Sequence, residues 1–252
     1  MGKNVFYDGS EKMKKEIKEI YEKFSSNYNM AIVKDSKQWD DFFKNIRPYV
    51  TKTFSYVHYT KDCADAFMLY SINENQTHPQ DFSVRTLWFS SFEGLKGVLS
   101  YFVTQRPYGD RVYIKLPCDI DLSAAIEILG GWGKRNVDIS TIIDGTTRVV
   151  DVAEVLKRAK CKGCGSVGIK IVNDEYCPWN NGIYTLQFGD KNTVSRGENA
   201  DIEMDINAFS SLIMGRCELD RAGIFANLKI FGNEEELKKV FYKKCCYIEE
   251  HF

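Results

Sequence analysis

The chain has 252 residues, with 34 Lys and Arg against 35 Asp and Glu, so its net charge of −1 leaves no electrostatic footprint for a nucleic acid. Apolar residues make up 44% and aromatics 13%, enough for real cores and against disorder. No run of about 18 apolar residues is present, so no segment is expected to span a membrane.

The start, MGKNVFYDGS, lacks the apolar stretch of a signal peptide, and Phe6 stands where a myristoylation signal wants Ser or Thr. Without an export signal, the eight cysteines read as reduced thiols of a cytoplasmic protein. Cys161-Lys162-Gly163-Cys164 is a CxxC. Cys177 and Cys245-Cys246 are other possible ligands, but His58, His78 and His251 form no HxxxH pair, so no metal site is expected.

In chain order, Ser10 starts a helix with Met13, Ile17, Ile20, Tyr21 and Phe24 on one stripe. Met30 to Val33 reads as a short strand. Ser36 is expected to cap a helix carrying Trp39, Phe42, Phe43 and Ile46 inward, ended by Pro48. Phe54 to Tyr59 and Ala66 to Ile72 read as strands around a turn at Lys61-Asp62, with a polar loop, Asn73 to Gln80, after them. Residues 84–89 form a strand feeding a helix with Leu95, Val98, Leu99, Phe102 and Val103 on one face. Val112 to Leu116 is a strand closed by Pro117, and Asp121 caps a helix that stops at Gly130-Gly131. Asp144-Gly145 reads as a turn and a domain boundary. Beyond it come a strand at Arg148 to Val150, a helix from Ala153 to Lys160, a strand from Val167 to Asn173 and a turn at Asn181-Gly182. Strands at Ile183 to Phe188 and about 200–204 follow. Asp205 caps a helix with Ile206, Phe209, Leu212 and Ile213 on one face, closed by Gly215. A short helix runs into Gly223, Phe225 to Phe231 reads as a strand, and Asn233 caps a last helix. Mixed α/β order thus gives way to α+β, a sheet with helices on one face.

The strand-to-helix turn at 89–94 is the kind of place where many folds hold a phosphate on free backbone N–H groups. Here it reads Ser90-Ser91-Phe92-Glu93, with a bulky ring and an anion where a phosphate loop wants glycines. Gly163-Cys164-Gly165-Ser166-Val167-Gly168 contains GxGxxG, but ahead of a strand, the wrong context for a dinucleotide.

The runs TRVVDVAEVLKRAK (147–160), IKIVNDEYCPWNNGIYTLQF (169–188) and ADIEMDINAFSSLIMG (200–215) resemble the C-terminal region of the Eis-like, or "enhanced intracellular survival", acetyltransferases. Asp174, Cys177-Pro178, Asn181-Gly182, Asp205 and Gly215 fall in that family's order. The resemblance implies a sterol-carrier-protein-like α+β domain over residues 146–252. Residues 1–145 are similar to the family's central domain, a degenerate acetyltransferase-like (GNAT) α/β domain without the pyrophosphate grip. A working GNAT domain, with which the family's proteins begin, is not in this sequence. The resemblance implies that the complete enzyme moves acetyl from acetyl-CoA to a primary amine of a polyamine-like small molecule or a protein lysine. This chain alone is expected to be inactive and to bind no cofactor. In the family the terminal carboxylate serves as the base, which points to Phe252, with His251 and Glu250 near the substrate. The family's ring-like assemblies imply a homo-oligomer. The competing expectation is a non-catalytic protein whose last domain holds an apolar ligand in a tunnel lined by Phe209, Leu212, Ile213, Phe225, Phe231, Val240 and Phe241. The same stripes would equally fill a dry core.

Overall fold

The computed structural model describes residues 2–46, 52–73, 81–109, 111–121, 123, 138–140, 146–225 and 227–249. The chain divides into two units, Met1–Ile142 with Tyr247–Phe252, and Ile143–Cys246. Among the described residues no helix is long and apolar enough to cross a membrane.

The first unit contains β1 (Lys3–Phe6), α1 (Glu11–Ser25), α2 (Ser36–Lys44), β2 (Thr53–Thr60), β3 (Cys63–Asn73), β4 (Asp81–Phe89), α3 (Phe92–Thr104) and β5 (Arg111–Ile114). Ser10 Oγ accepts the Met13 N–H and starts α1, whose five predicted stripe residues are all buried. α2 is capped by Asp35 instead of Ser36. The Asp35 carboxylate accepts the Gln38 N–H at 2.8 Å, and the Gln38 side chain accepts the Asp35 N–H at 2.9 Å. The strand expected at Met30 to Val33 does not form. Met30 has φ 67°, a left-handed value no strand holds.

The sheet runs β1-β2-β3-β4-β5, antiparallel except for the parallel pair β4–β5. Thr60 faces Cys63, and Lys61 and Asp62 take φ 48° and 64°, as a two-residue hairpin turn with both centres left-handed requires. In β4 the pairing skips Arg85, so Phe82, Val84 and Leu87 reach one face despite their odd spacing. That face packs on Leu95, Val98, Leu99 and Phe102 of α3. The opposite face, with Val57, Phe67 and Trp88, packs on α1 and on Trp39 of α2. The β4–β5 ladder extends from Asp81↔Arg111 to Val84↔Ile114. Past Val84 the pairing of β4 is with β3 alone.

The second unit contains α4 (Val152–Arg158), β6 (Gly165–Val172), β7 (Gly182–Phe188), β8 (Thr193–Arg196), β9 (Ile202–Asp205), α5 (Ile206–Ile213), β10 (Leu228–Ile230) and α6 (Glu234–Val240). Its sheet runs β10-β9-β6-β7-β8, with β6–β9 parallel and the other pairs antiparallel. Val167, Ile169 and Ile171 alternate inward onto Leu156 of α4, Phe209 and Leu212 of α5, and Leu237 and Val240 of α6. Between them Lys170 pairs with Glu203 at 2.7 Å.

Arg148 to Val150 is not a strand. The Val149 N–H goes to Ser210 Oγ, and the Val150 carbonyl accepts from Trp179 Nε1 and Asn180 Nδ2, so side chains satisfy this backbone. The strand expected over Phe225 to Phe231 is confined to β10. Asn233 stands at the start of α6 but turns its side chain to Asp201 instead of capping. β1 and β8, four residues each, were not expected. The helix after Asp121, the turn at Asp144-Gly145 and the Pro48 stop lie outside the described residues.

Candidate functional site

α3 begins where the sequence places two serines, a phenylalanine and a glutamate. Ser91 Oγ accepts the Gly94 N–H at 3.0 Å and donates to Asp65 Oδ2 at 3.0 Å. Asp65, 7% exposed on β3, places its other oxygen 2.7 Å from His58 Nδ1. Its main-chain carbonyl accepts the Ser90 N–H at 2.8 Å. Gly94 lies so close that a Cβ there would stand 2.6 Å from that carbonyl. At the positive end of α3 the Ser91 hydroxyl takes the Gly94 N–H with the Asp65 carboxylate bonded behind it, and Glu93 adds a second acid in the first turn. An acetyl-CoA pyrophosphate here would need free N–H groups and would meet anions. These residues do not fit that group.

A second polar cluster forms around the last described residues, which belong to the first unit. The Tyr247 N–H donates to the Asn29 carbonyl at 3.1 Å, and its ring lies 5.4 Å from Phe24 and 5.7 Å from Tyr28. Two residues on, Glu249 Oε2 accepts Trp88 Nε1–H at 2.6 Å. Trp88 lies on β4 past the stretch paired with β5. Glu249 is partly buried as a residue but turns its carboxyl inward. Oε1 is covered and has no hydrogen-bond partner among the described residues. Burial pushes this carboxyl up from 4.5 to about 7, against the pull of the Trp88 hydrogen bond, the nearby Thr86 hydroxyl and the charges of Lys34 and Lys115. Lys34 Nζ lies 5.1 Å from the Tyr21 ring and 5.9 Å from the Trp88 ring. Burial lowers its pKa, with Glu249 opposing. Burial likewise pushes the Tyr21 hydroxyl up to about 12.

In the second unit, Asp174 ties the β6–β7 connection together. It is 1% exposed. Its carboxylate accepts from the Arg148 guanidinium, from the Cys177 N–H at 3.0 Å and from Asn180 Nδ2 at 3.0 Å. Asn181 accepts the Asp174 N–H and donates to the Asp174 carbonyl. The acid, Cys-Pro and Asn-Gly of the sequence pattern therefore form a structural knot. Beside it lies an open cleft of about 560 Å³, lined by Lys170, Asn173, Asp174, Glu175, Asn181 and Gly182. Its Lys170, Asp174 and Asn181 are engaged by protein groups.

Of the predicted site residues, Phe252, His251 and Glu250 lie outside the described residues. The tunnel residues do not line a tunnel. Phe209, Leu212 and Val240 are 0% exposed, so neighbouring protein atoms cover them completely. Ile213 and Phe241 pack in the same core, Phe225 packs against it, and Phe231 is exposed. Sequence reasoning missed Glu249, Trp88 and Lys34, which no local spacing connects. It also left His58 without a partner, although the hairpin turn brings Asp65 to it.

Residues 152–247 match the family model of the sterol carrier protein domain. No curated protein matches the sequence. Among solved structures, the chain resembles a GCN5-related N-acetyltransferase from Anabaena variabilis over 100% of its length, with a TM-score of 0.75 at 15% identity. A probable N-acyltransferase from Enterococcus faecalis gives the same three figures. Eis1 from Mycobacterium abscessus gives a TM-score of 0.66 at 18% identity over 99% of this chain. At these identities the likeness is one of fold. The fold is α/β plus α+β, a GNAT-like mixed sheet followed by a sterol-carrier-protein-like domain. The chain spans 62% of the length of each of these three structures.

Proposed function

We propose that this chain is the C-terminal part of an Eis-like N-acetyltransferase whose complete form acetylates a primary amine of a polyamine-like small molecule or a protein lysine. One observation carries the reading: the chain shares its fold with a protein named as an N-acetyltransferase, with a probable N-acyltransferase and with Eis1, while spanning 62% of the length of each. The α3 N-terminus, closed by Asp65 and Ser91, supports it by leaving the CoA pyrophosphate no grip in this unit. In this reading acetyl-CoA is held by residues outside these 252. The chain contributes pocket walls, contacts in a cytoplasmic homo-oligomer and the Phe252 carboxylate. That carboxylate takes the proton from the substrate ammonium, with His251 and Glu250 beside it. A free α-carboxylate has a pKa of roughly 3.3–3.7, so it serves as a base only when desolvated and held against the ammonium.

The test joins this chain to the part of the Anabaena or Enterococcus protein that it does not match and measures acetylation of spermidine and of a lysine peptide. The chain alone is expected to be inactive and the joined protein active. A joined protein that folds in both parts and acetylates neither amine would overturn the proposal.

A further inference from the structure

We propose that Tyr247–Glu249 is a latch: Glu249, seated on Trp88, holds residues 247–249 against β4 beyond the stretch that pairs with β5. Three contacts build it. The Tyr247 N–H is bonded to Asn29 after α1, the Tyr247 ring packs on Phe24 and Tyr28, and Glu249 reaches Trp88 Nε1 at 2.6 Å. The β4–β5 ladder ends at Val84↔Ile114, and Thr86 and Trp88 follow on the stretch of β4 paired with β3 alone. Lys115, just past β5, faces the same carboxyl. This inference does not rest on the acetyltransferase reading, because it concerns residues of this chain alone.

The latch has a defined protonation state. Oε1 is covered and without a hydrogen-bond partner among the described residues, a setting that favours the neutral acid, whose Oε2 still accepts from Trp88. The charged and titratable groups around it are Lys34 from the segment after α1, Lys115 after β5, Tyr21 of α1, and Tyr28 and Tyr247. Glu250 and His251 follow it in sequence. Seating raises the Glu249 pKa, so it is strongest below the free value of 4.5 and weakens as pH rises to about 7. The full change, from 4.5 to about 7, is about 300-fold in the seating equilibrium.

The experiment is hydrogen exchange of the full chain, read by mass spectrometry on the peptide covering residues 245–252 and corrected for intrinsic rates, from about pH 4.5 to 8. In the wild type, tail protection is expected to fall by up to about 300-fold across the window set by the carboxyl. Glu249→Gln, which keeps an acceptor and cannot ionise, should stay protected and flat with pH. Glu249→Ala should be poorly protected and flat. A wild-type tail whose protection does not change with pH overturns the latch whatever the variants do. So does a loss shared equally by a β3 peptide, because the sheet itself would then be opening. If Glu249→Ala fails to fold, the comparison of wild type with Glu249→Gln decides alone, and a Gln variant that follows the wild type with pH overturns the proposal.

Discussion

Replacing Asp174 by alanine removes the centre of the β6–β7 knot, and its cost can be worked from the contacts. The Cys177 N–H loses its acceptor at 3.0 Å, and Cys177 is a buried residue. An orphaned buried donor costs about 1–3 kcal/mol. The Arg148 guanidinium loses its carboxylate but is 35% exposed and keeps its place over the Tyr176 ring, 5.2 Å away. Asn180 Nδ2 keeps the Val150 carbonyl at 3.2 Å. Together these losses come to about 2–4 kcal/mol, below the full cost of breaking a buried pair because Arg148 stays partly in water. Asp174→Asn keeps one acceptor, for Cys177, but loses the charge and sets its amide NH2 against the Asn180 Nδ2 donor, so it should cost about 1–3 kcal/mol. Urea unfolding followed by hydrogen exchange reads the units separately, with β6 and β7 peptides reporting the change and β3 peptides as the internal control. A loss under about 1 kcal/mol for Asp174→Ala would refute the reasoning. So would an equal loss in β3.

Gly97→Ala should destabilise the first unit by about 1–3 kcal/mol through overpacking, because the new Cβ would stand 2.0 Å from His58 Nε2 in a ring that Asp65 holds at 2.7 Å. Thermal melts check this, with β6 and β7 exchange unchanged. In the joined enzyme, deletion of Phe252 should lower kcat by roughly 10²–10⁴-fold with an unchanged Tm, the range for loss of a positioned base. An unchanged kcat would remove Phe252 from the chemistry.

The legible parts of the sequence were those whose signals are local. The α1 stripe from Met13 to Phe24, the Lys61-Asp62 hairpin and the Asp205 cap of α5 each depend on residues within a few positions of one another. β1 and β8 are four-residue pieces with no strong alternation, and their strand character comes from pairing with β2 and β7. The left-handed Met30 broke a stretch that composition favoured as a strand. The site was harder still. His58 meets Asp65 through a hairpin with an irregular register between His58 and Tyr59. Trp88 meets Glu249 across 161 positions. The motif that drew notice, from Asp174 to Gly182, is a loop fastening instead of a reactive centre. The Ser90-Ser91-Phe92-Glu93 start of α3 was legible as two serines, a ring and an acid opening a helix. That Asp65 covers the same N-terminus required the sheet.

The most direct measurement is calorimetric titration of acetyl-CoA into the 252-residue chain. No saturable heat is expected, because Asp65, Ser91 and Glu93 surround the α3 N-terminus with anions and a capped N–H. Saturable binding at micromolar concentrations would contradict it, and this chain would then be an acetyl-CoA-binding protein in its own right.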